Sequence, residues 1–174
     1  GLGPWEISLD GTDVVLTGRE TVSRFPGRLL SEIIVRGSDS DDSLSVGPLA
    51  GAFDGPITID MRGGNDRADL SRLDLPTLVN GSSGNDTLRT GSDDDNRNGG
   101  GGHDELYGGP GDDRLNGNSG NDRLLGEADD DRMLGGAGQD TLLAGDGHNR
   151  MRGHGGADLI VGGAASDSID GGSG

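Results

Sequence analysis

Residues 99–125 read GGGGHDELY GGPGDDRLN GNSGNDRLL. These are three nine-residue blocks, each opening on Gly, with Asp at the sixth place and Leu at the eighth: Asp104 and Leu106, Asp113 and Leu115, Asp122 and Leu124. Working outward, the same register holds without insertion or deletion from Gly81 to Gly174. GSSGNDTLR (81–89) and TGSDDDNRN (90–98) come before. GEADDDRML (126–134), GGAGQDTLL (135–143), AGDGHNRMR (144–152), GHGGADLIV (153–161), GGAASDSID (162–170) and a partial GGSG follow. Position 6 is Asp in every full block except the one with Asn149. Position 8 is apolar in every full block except the one with Arg97.

This order decides against disorder, which low hydrophobicity with high net charge otherwise implies. Positions 1, 2 and 4, mostly Gly, suit a tight turn. The pattern predicts a six-residue turn followed by a three-residue strand whose middle residue, position 8, points inward. Two blocks make one coil, and coils stack about 4.8 Å apart. Blocks two apart then share a side, and their position-6 residues form two columns. The odd column is Asp86, Asp104, Asp122, Asp140 and Asp158. The even column is Asp95, Asp113, Asp131, Asn149 and Asp167. Carboxylates stacked this closely repel, so the stack calls for cations. Oxygen donors in a chain without Cys fit Ca²⁺ better than a transition metal.

The blocks resemble the repeats-in-toxin (RTX) family, whose nonapeptide is G-G-x-G-x-D-x-U-x. The resemblance covers residues 81–174. It implies a right-handed parallel β-roll in which each Ca²⁺ lies between turns of blocks i and i+2, held by position-6 Asp and turn carbonyls. The expected metal-ligating residues are Asp66, Asp86, Asp95, Asp104, Asp113, Asp122, Asp131, Asp140, Asp158 and Asp167. Five gaps in the odd column, counting the partial block from Gly171, and four in the even one give about nine ions, whose charge of about +18 is close to the formal −17. Two blocks depart from the pattern. Asn149 predicts a weak site, and Arg97 with Asp93 predicts a frayed or capped turn in block 90–98.

Residues 1–80 hold 11 of the 37 Gly and five of the six Pro. Looser echoes persist there: a strand, a polar turn ending in Asp, then an apolar residue. Asp13 follows the strand Ile7–Leu9, Asp42 follows Ile33–Val35, and Asp66 follows Ile57–Ile59. The intervals Asp13, Asp42, Asp66, Asp86 are 29, 24 and 20 residues, closing on the regular 18. Residues 1–80 are read as wider β-helix-like coils with a cap, running into the β-roll of 81–174. The odd column then extends through Asp66 towards Asp42, the loop Pro48–Pro56 closes the opposite side, and Trp5 and Phe25 cap the end. A separate β-sandwich over about residues 1–60 is the alternative. The fold class expected is all-β, a parallel β-solenoid.

Composition excludes several functions. With 29 % hydrophobic residues, four aromatics and no Lys, the chain builds neither a large apolar core nor a helical bundle. A charge of −17 argues against nucleic acid, and no apolar run spans a membrane. G-x-S-x-G, H-E-x-x-H, a P-loop and Cys are all absent, so no enzyme is expected. His103, His148 and His154 read as solvated turn residues.

Two outward ladders stand out. Position 9 of the odd strands reads Arg89, Tyr107, Leu125, Leu143, Val161; position 7 of the even strands includes Arg114, Arg132 and Arg150. Contiguous apolar surface marks contacts. The chain starts without Met and shows no signal peptide, so it reads as a processed chain or fragment. The functional expectation is a secreted calcium-binding structural protein, extracellular or on the cell surface. It is expected to form a homo-oligomer or filament through its solenoid ends and the Tyr107, Leu125, Leu143, Val161 ladder. The alternative, which the RTX resemblance implies, is a calcium-dependent folding and secretion module of a larger exported enzyme or toxin.

Overall fold

The computed structural model describes residues 4–10, 13–17, 22–26, 30–49 and 53–174, the first three stretches as backbone alone. The strands are β1 (Pro4–Asp10), β2 (Asp13–Thr17), β3 (Val22–Pro26), β4 (Ile33–Arg36), β5 (Ser43–Val46) and β6 (Ile57–Asp60). Then come β7 (Arg67–Asp69), β8 (Thr77–Ser83), β9 (Thr87–Arg89), β10 (Asn96–Gly101), β11 (Glu105–Pro110) and β12 (Arg114–Ser119). The last six are β13 (Arg123–Ala128), β14 (Arg132–Ala137), β15 (Thr141–Gly145), β16 (Arg150–Gly155), β17 (Leu159–Val161) and β18 (Ser168–Asp170). Among the described residues there is no helix, and none therefore that is long and apolar enough to cross a membrane.

Alternate strands enter alternate sheets. One sheet runs β17-β15-β13-β11-β9-β7-β5-β1-β2-β3 and the other β18-β16-β14-β12-β10-β8-β6-β4. From β4 onward every pairing is parallel and joins equivalent positions of successive coils, as in Leu106↔Leu124↔Leu142 and Leu115↔Met133↔Met151. This is the expected β-solenoid.

The strands are longer than predicted. In the regular region they run up to six residues, from position 7 into position 3 of the next block, and pairing continues there (Gly109↔Glu127, Pro110↔Ala128). Burial alternates along β13 and β14, so positions 8 and 1 both face inward. From Gly81 through Gly153, a block's opening Gly is thus an interior strand residue, and the turn proper shrinks to positions 4–6. The interior is a single cluster fed by both sheets, with Leu88, Leu106, Leu124 and Leu142 from one and Val79, Leu115, Met133 and Met151 from the other. Fully burying such a side chain contributes about 1.5–3 kcal/mol. That repeated gain holds a chain this poor in apolar residues together. Ile169 departs from the pattern: β18 is the edge of its sheet, and the side chain is 52 % exposed.

Both sheets continue unbroken across residue 80, through β4, β6 and β8 on one side and β5, β7 and β9 on the other. Residues 33–49 and 53–80 are therefore coils of the same solenoid and not a sandwich. Buried Leu49 and Phe53, joined by a Phe53 N–H bond to the Leu49 carbonyl, belong to the loop that crosses between the sheets. The stretch Ile7–Val15 is not a coil. β1, β2 and β3 form an antiparallel meander, with Asp10 paired to Asp13. In the sequence, a Gly as the first of two residues between strand ends is a hairpin signal. The meander joins the solenoid through parallel pairing of Trp5 with Leu44. The capping expected of the Trp5 and Phe25 side chains lies outside the described residues.

Candidate metal centre

Each position-6 carboxylate has one oxygen committed to the neighbouring turn. Asp66 Oδ1 accepts the Asp42 N–H at 2.7 Å, Asp86 Oδ1 that of Asp66 at 2.8 Å, and Asp104 Oδ1 that of Asp86 at 2.8 Å. The ladder continues through Asp122, Asp140 and Asp158 at 2.8–2.9 Å. The odd column therefore runs from Asp42 to Asp158, with strides of 24 and 20 tightening to 18. The even column joins Asp95, Asp113, Asp131, Asn149 and Asp167 in the same way. Its head was missed in the sequence. Thr77 gives both its N–H (2.6 Å) and its hydroxyl (2.7 Å) to Asp95 Oδ1. It lies 18 residues before Asp95, so the stride was the available signal.

The second oxygen is what matters chemically. Oδ2 of Asp66, Asp86, Asp104, Asp113, Asp122, Asp131, Asp140 and Asp158 is buried with no hydrogen-bond partner. Such a carboxylate oxygen is expensive to leave uncompensated. Position-1 Gly leaves room beside it. A methyl group on Gly81 would press on Asp86 Oδ2 and come 2.6 Å from the Gly99 carbonyl, and one on Gly117 would do the same to Asp122 Oδ2 and the Gly135 carbonyl. Burial pushes Asp104 and Asp131 up to about 7, and Asp66 and Asp113 up to about 6. Asp86, Asp122 and Asp140 are also raised by burial. The carboxylates are held where only a nearby positive charge makes the ionised form comfortable.

The donor set fits a hard divalent cation. Ca²⁺ takes six to eight oxygens, mixing carboxylates with backbone carbonyls. Among the described residues no three Asp, Glu or His side chains converge. A cation between turns would therefore be held by the orphaned Oδ2 atoms together with carbonyls of the adjoining turns. When bound, it supplies the charge that lets buried carboxylates ionise; the chain's own residues supply the spacing.

Four members of the columns satisfy their outer atom within the protein. Asp42 Oδ2 accepts from Ser38 N–H and hydroxyl at 2.6 and 2.9 Å, and Asp167 Oδ2 from Gly163 N–H at 2.9 Å. The hydrogen bonds from Asn149 and Gly163 hold Asp167 below the usual carboxylate range. Asp95 Oδ2 meets Arg97 Nη2 at 3.1 Å, and Asn149 Nδ2 donates to the Asp146 and Gly147 carbonyls at 3.2 Å each. Block 90–98 is thus not frayed: Arg97 is fully buried and Asp95 nearly so.

Position 5 forms a second ladder that runs in the opposite sense. Asp41 accepts from Asn65 N–H, Asn65 from Asn85, Asn85 from His103, and His103 Nδ1 from Asn121 at 2.8 Å. On the other side Asp94, Asp112 and Asp130 accept from Asp112, Asp130 and His148. His103 and His148 are therefore rungs of the turn stack, beyond the solvated role their Gly-rich context suggested.

The fold and these turns define a class: a two-sheeted solenoid whose turns present stacked carboxylates to hard cations. The family model for the RTX calcium-binding nonapeptide repeat (4 copies) matches residues 78–106, 107–142 and 143–174. The matched segments make up more than half of the chain, and the chain belongs to this family, whose repeats bind calcium and are typical of secreted proteins. Comparison with curated proteins and with solved structures finds no match.

Proposed function

We propose that this chain is an extracellular structural solenoid that folds on calcium, takes up several ions through its two Asp columns, has no catalytic role and associates with copies of itself. The observation that carries the calcium dependence is the set of eight buried carboxylate oxygens without a partner. Extracellular modules bind Ca²⁺ with dissociation constants on the order of 10⁻⁴–10⁻³ M, so such a chain stays unstructured at low calcium and orders where calcium is plentiful.

Self-association is supported by the position-9 ladder. Tyr107, Leu125, Leu143 and Val161 pair in register on adjacent strands, and the Arg89 guanidinium sits 3.7 Å over the Tyr107 ring at one end. The first three are half-buried and Val161 is 45 % exposed, a continuous apolar strip suited to the same strip of a second copy. Family membership supports the second reading, a calcium-dependent folding module of a larger exported protein. Sedimentation and electron microscopy in millimolar Ca²⁺ separate the two. Assemblies that shrink in the double variant Leu125→Asp/Leu143→Asp, with the calcium-induced β signal kept, support the structural reading. A wild-type chain that stays a compact monomer at high concentration favours the module.

A further inference from the structure

Two turns of the even column are built differently, and in each the difference falls at more than one position. Position 1 is Gly in eight of the ten full blocks; the exceptions are Thr90 and Ala144. Those are the blocks with Arg97 at the inward position 8 and Asn149 at position 6. In the remaining blocks position-1 Gly leaves space beside Oδ2. In block 90–98 the Thr90 side chain occupies that place, and its hydroxyl donates to the Gly108 carbonyl at 3.1 Å. The same carbonyl accepts from Arg97 Nη2 at 2.8 Å. Arg97 Nη2 also meets Asp95 Oδ2 at 3.1 Å and Asp113 Oδ1 at 3.4 Å, all with side chains wholly buried. The atoms corresponding to Asp95 Oδ2 and the Gly108 carbonyl in the odd column are Asp86 Oδ2 and the Gly99 carbonyl, and there Oδ2 is orphaned. In block 90–98 both oxygens have donors from the chain.

Block 144–152 reaches the same end with a neutral group. The Asn149 amide nitrogen stands where the second carboxylate oxygen stands elsewhere, and it donates to the Asp146 and Gly147 carbonyls. Oδ1 keeps its role as acceptor from Asp131 N–H. An amide that occupies two turn carbonyls leaves neither a charge nor those oxygens for a cation.

We infer that these two turns are closed by the protein's own donors, the Arg97 guanidinium with the Thr90 hydroxyl in one and the Asn149 amide in the other, in place of calcium. The inference rests on the calcium reading above and refines it: the even column takes ions at Asp113 and Asp131, whereas the odd column takes them from Asp66 through Asp158. Arg97 Nε and Nη1 find no protein partner, so the guanidinium is held by one nitrogen, between two carboxylates. It is a tethered cation at the first Asp turn of the even column. The ion count falls below the nine of a fully regular stack.

The test restores the regular chemistry. Bound calcium per folded chain is measured by elemental analysis after equilibrium dialysis for the wild type, Thr90→Gly/Arg97→Leu and Ala144→Gly/Asn149→Asp. Each double variant is expected to bind one more ion than the wild type; an unchanged count overturns the assignment for that turn. Calcium anomalous diffraction from wild-type crystals is independent of whether the variants fold. The expected map has peaks between turns of the odd column and none between Asp95 and Asp113, and a peak there overturns the inference. A wild-type chain that takes up no calcium at all overturns the parent reading as well, and is thereby distinguished from failure of the inference alone.

Discussion

Asp122 shows how one side chain carries both the backbone and the ion. Its Oδ1 accepts the Asp104 N–H at 2.8 Å, and its Oδ2 is the buried, unpartnered atom. Asp122→Asn retains an acceptor for the backbone and removes the charge. It is expected to weaken calcium binding roughly tenfold or more, about 1.4 kcal/mol, while the folded, calcium-loaded chain keeps its β spectrum. Asp122→Ala loses both and is expected to lose more. Replacing Asn149 by Ala costs less affinity than either, because that turn lacks a carboxylate; calorimetric titration of the three variants checks the order.

The raised carboxylates fix a pH dependence in chelator. Asp104 and Asp131 lie near 7 in the fold, against an ordinary value of 3.8. Between these values the folded chain binds more protons than the unfolded one, so calcium-free stability falls as pH rises from about 4 to about 7. Circular dichroism in chelator is expected to show more β structure at about pH 4.5 than at about pH 7.5, with saturating Ca²⁺ removing the difference. Position-6 Asp and position-8 Leu were legible in the sequence because each recurs every nine residues. The role of Arg97 was not, because a lone Arg at an apolar place gives no sign of where its guanidinium reaches.

At the scale of the element, the turn of block 117–125 depends on its position-4 glycine. Gly120 has φ of +128°, and an added Cβ would run into the Gly102 carbonyl of the turn before it. Gly101, at position 3, meets nothing within 4 Å. Gly120→Ala is expected to cost roughly 2 kcal/mol or more, and Gly101→Ala less than about 0.5 kcal/mol. Denaturant midpoints in saturating Ca²⁺ measure both. Strand direction and sheet membership were legible from the alternation of blocks. Strand length was not, because an inward Gly and a turn Gly look alike as letters; their surroundings separate them. The same ambiguity hid the β1–β2 hairpin, whose Ile7–Val15 stretch has the strand, turn and Asp of a coil.

Across the whole molecule, the described coils pack on their neighbours in the stack, so stability is close to a sum of coil and interface contributions. Interfaces in the regular region add apolar burial from position 8 and carboxylate repulsion from position 6, except where Arg97, Asn149 or the exposed Ile169 stands. Without a cation the second opposes the first at eight buried oxygens. The tightening stride of the odd column made the continuity of residues 33–49 and 53–80 with the roll legible. The antiparallel meander follows hairpin rules and lies beyond the reach of the repeat. The central claim is that calcium balances the carboxylates and thereby permits the fold. Far-UV circular dichroism of the chain titrated with Ca²⁺ at neutral pH tests it most directly. The account predicts a largely unordered spectrum in chelator and a cooperative rise of the β signal at calcium on the order of 10⁻⁴–10⁻³ M. A full β spectrum in excess chelator, unchanged by calcium, would contradict it.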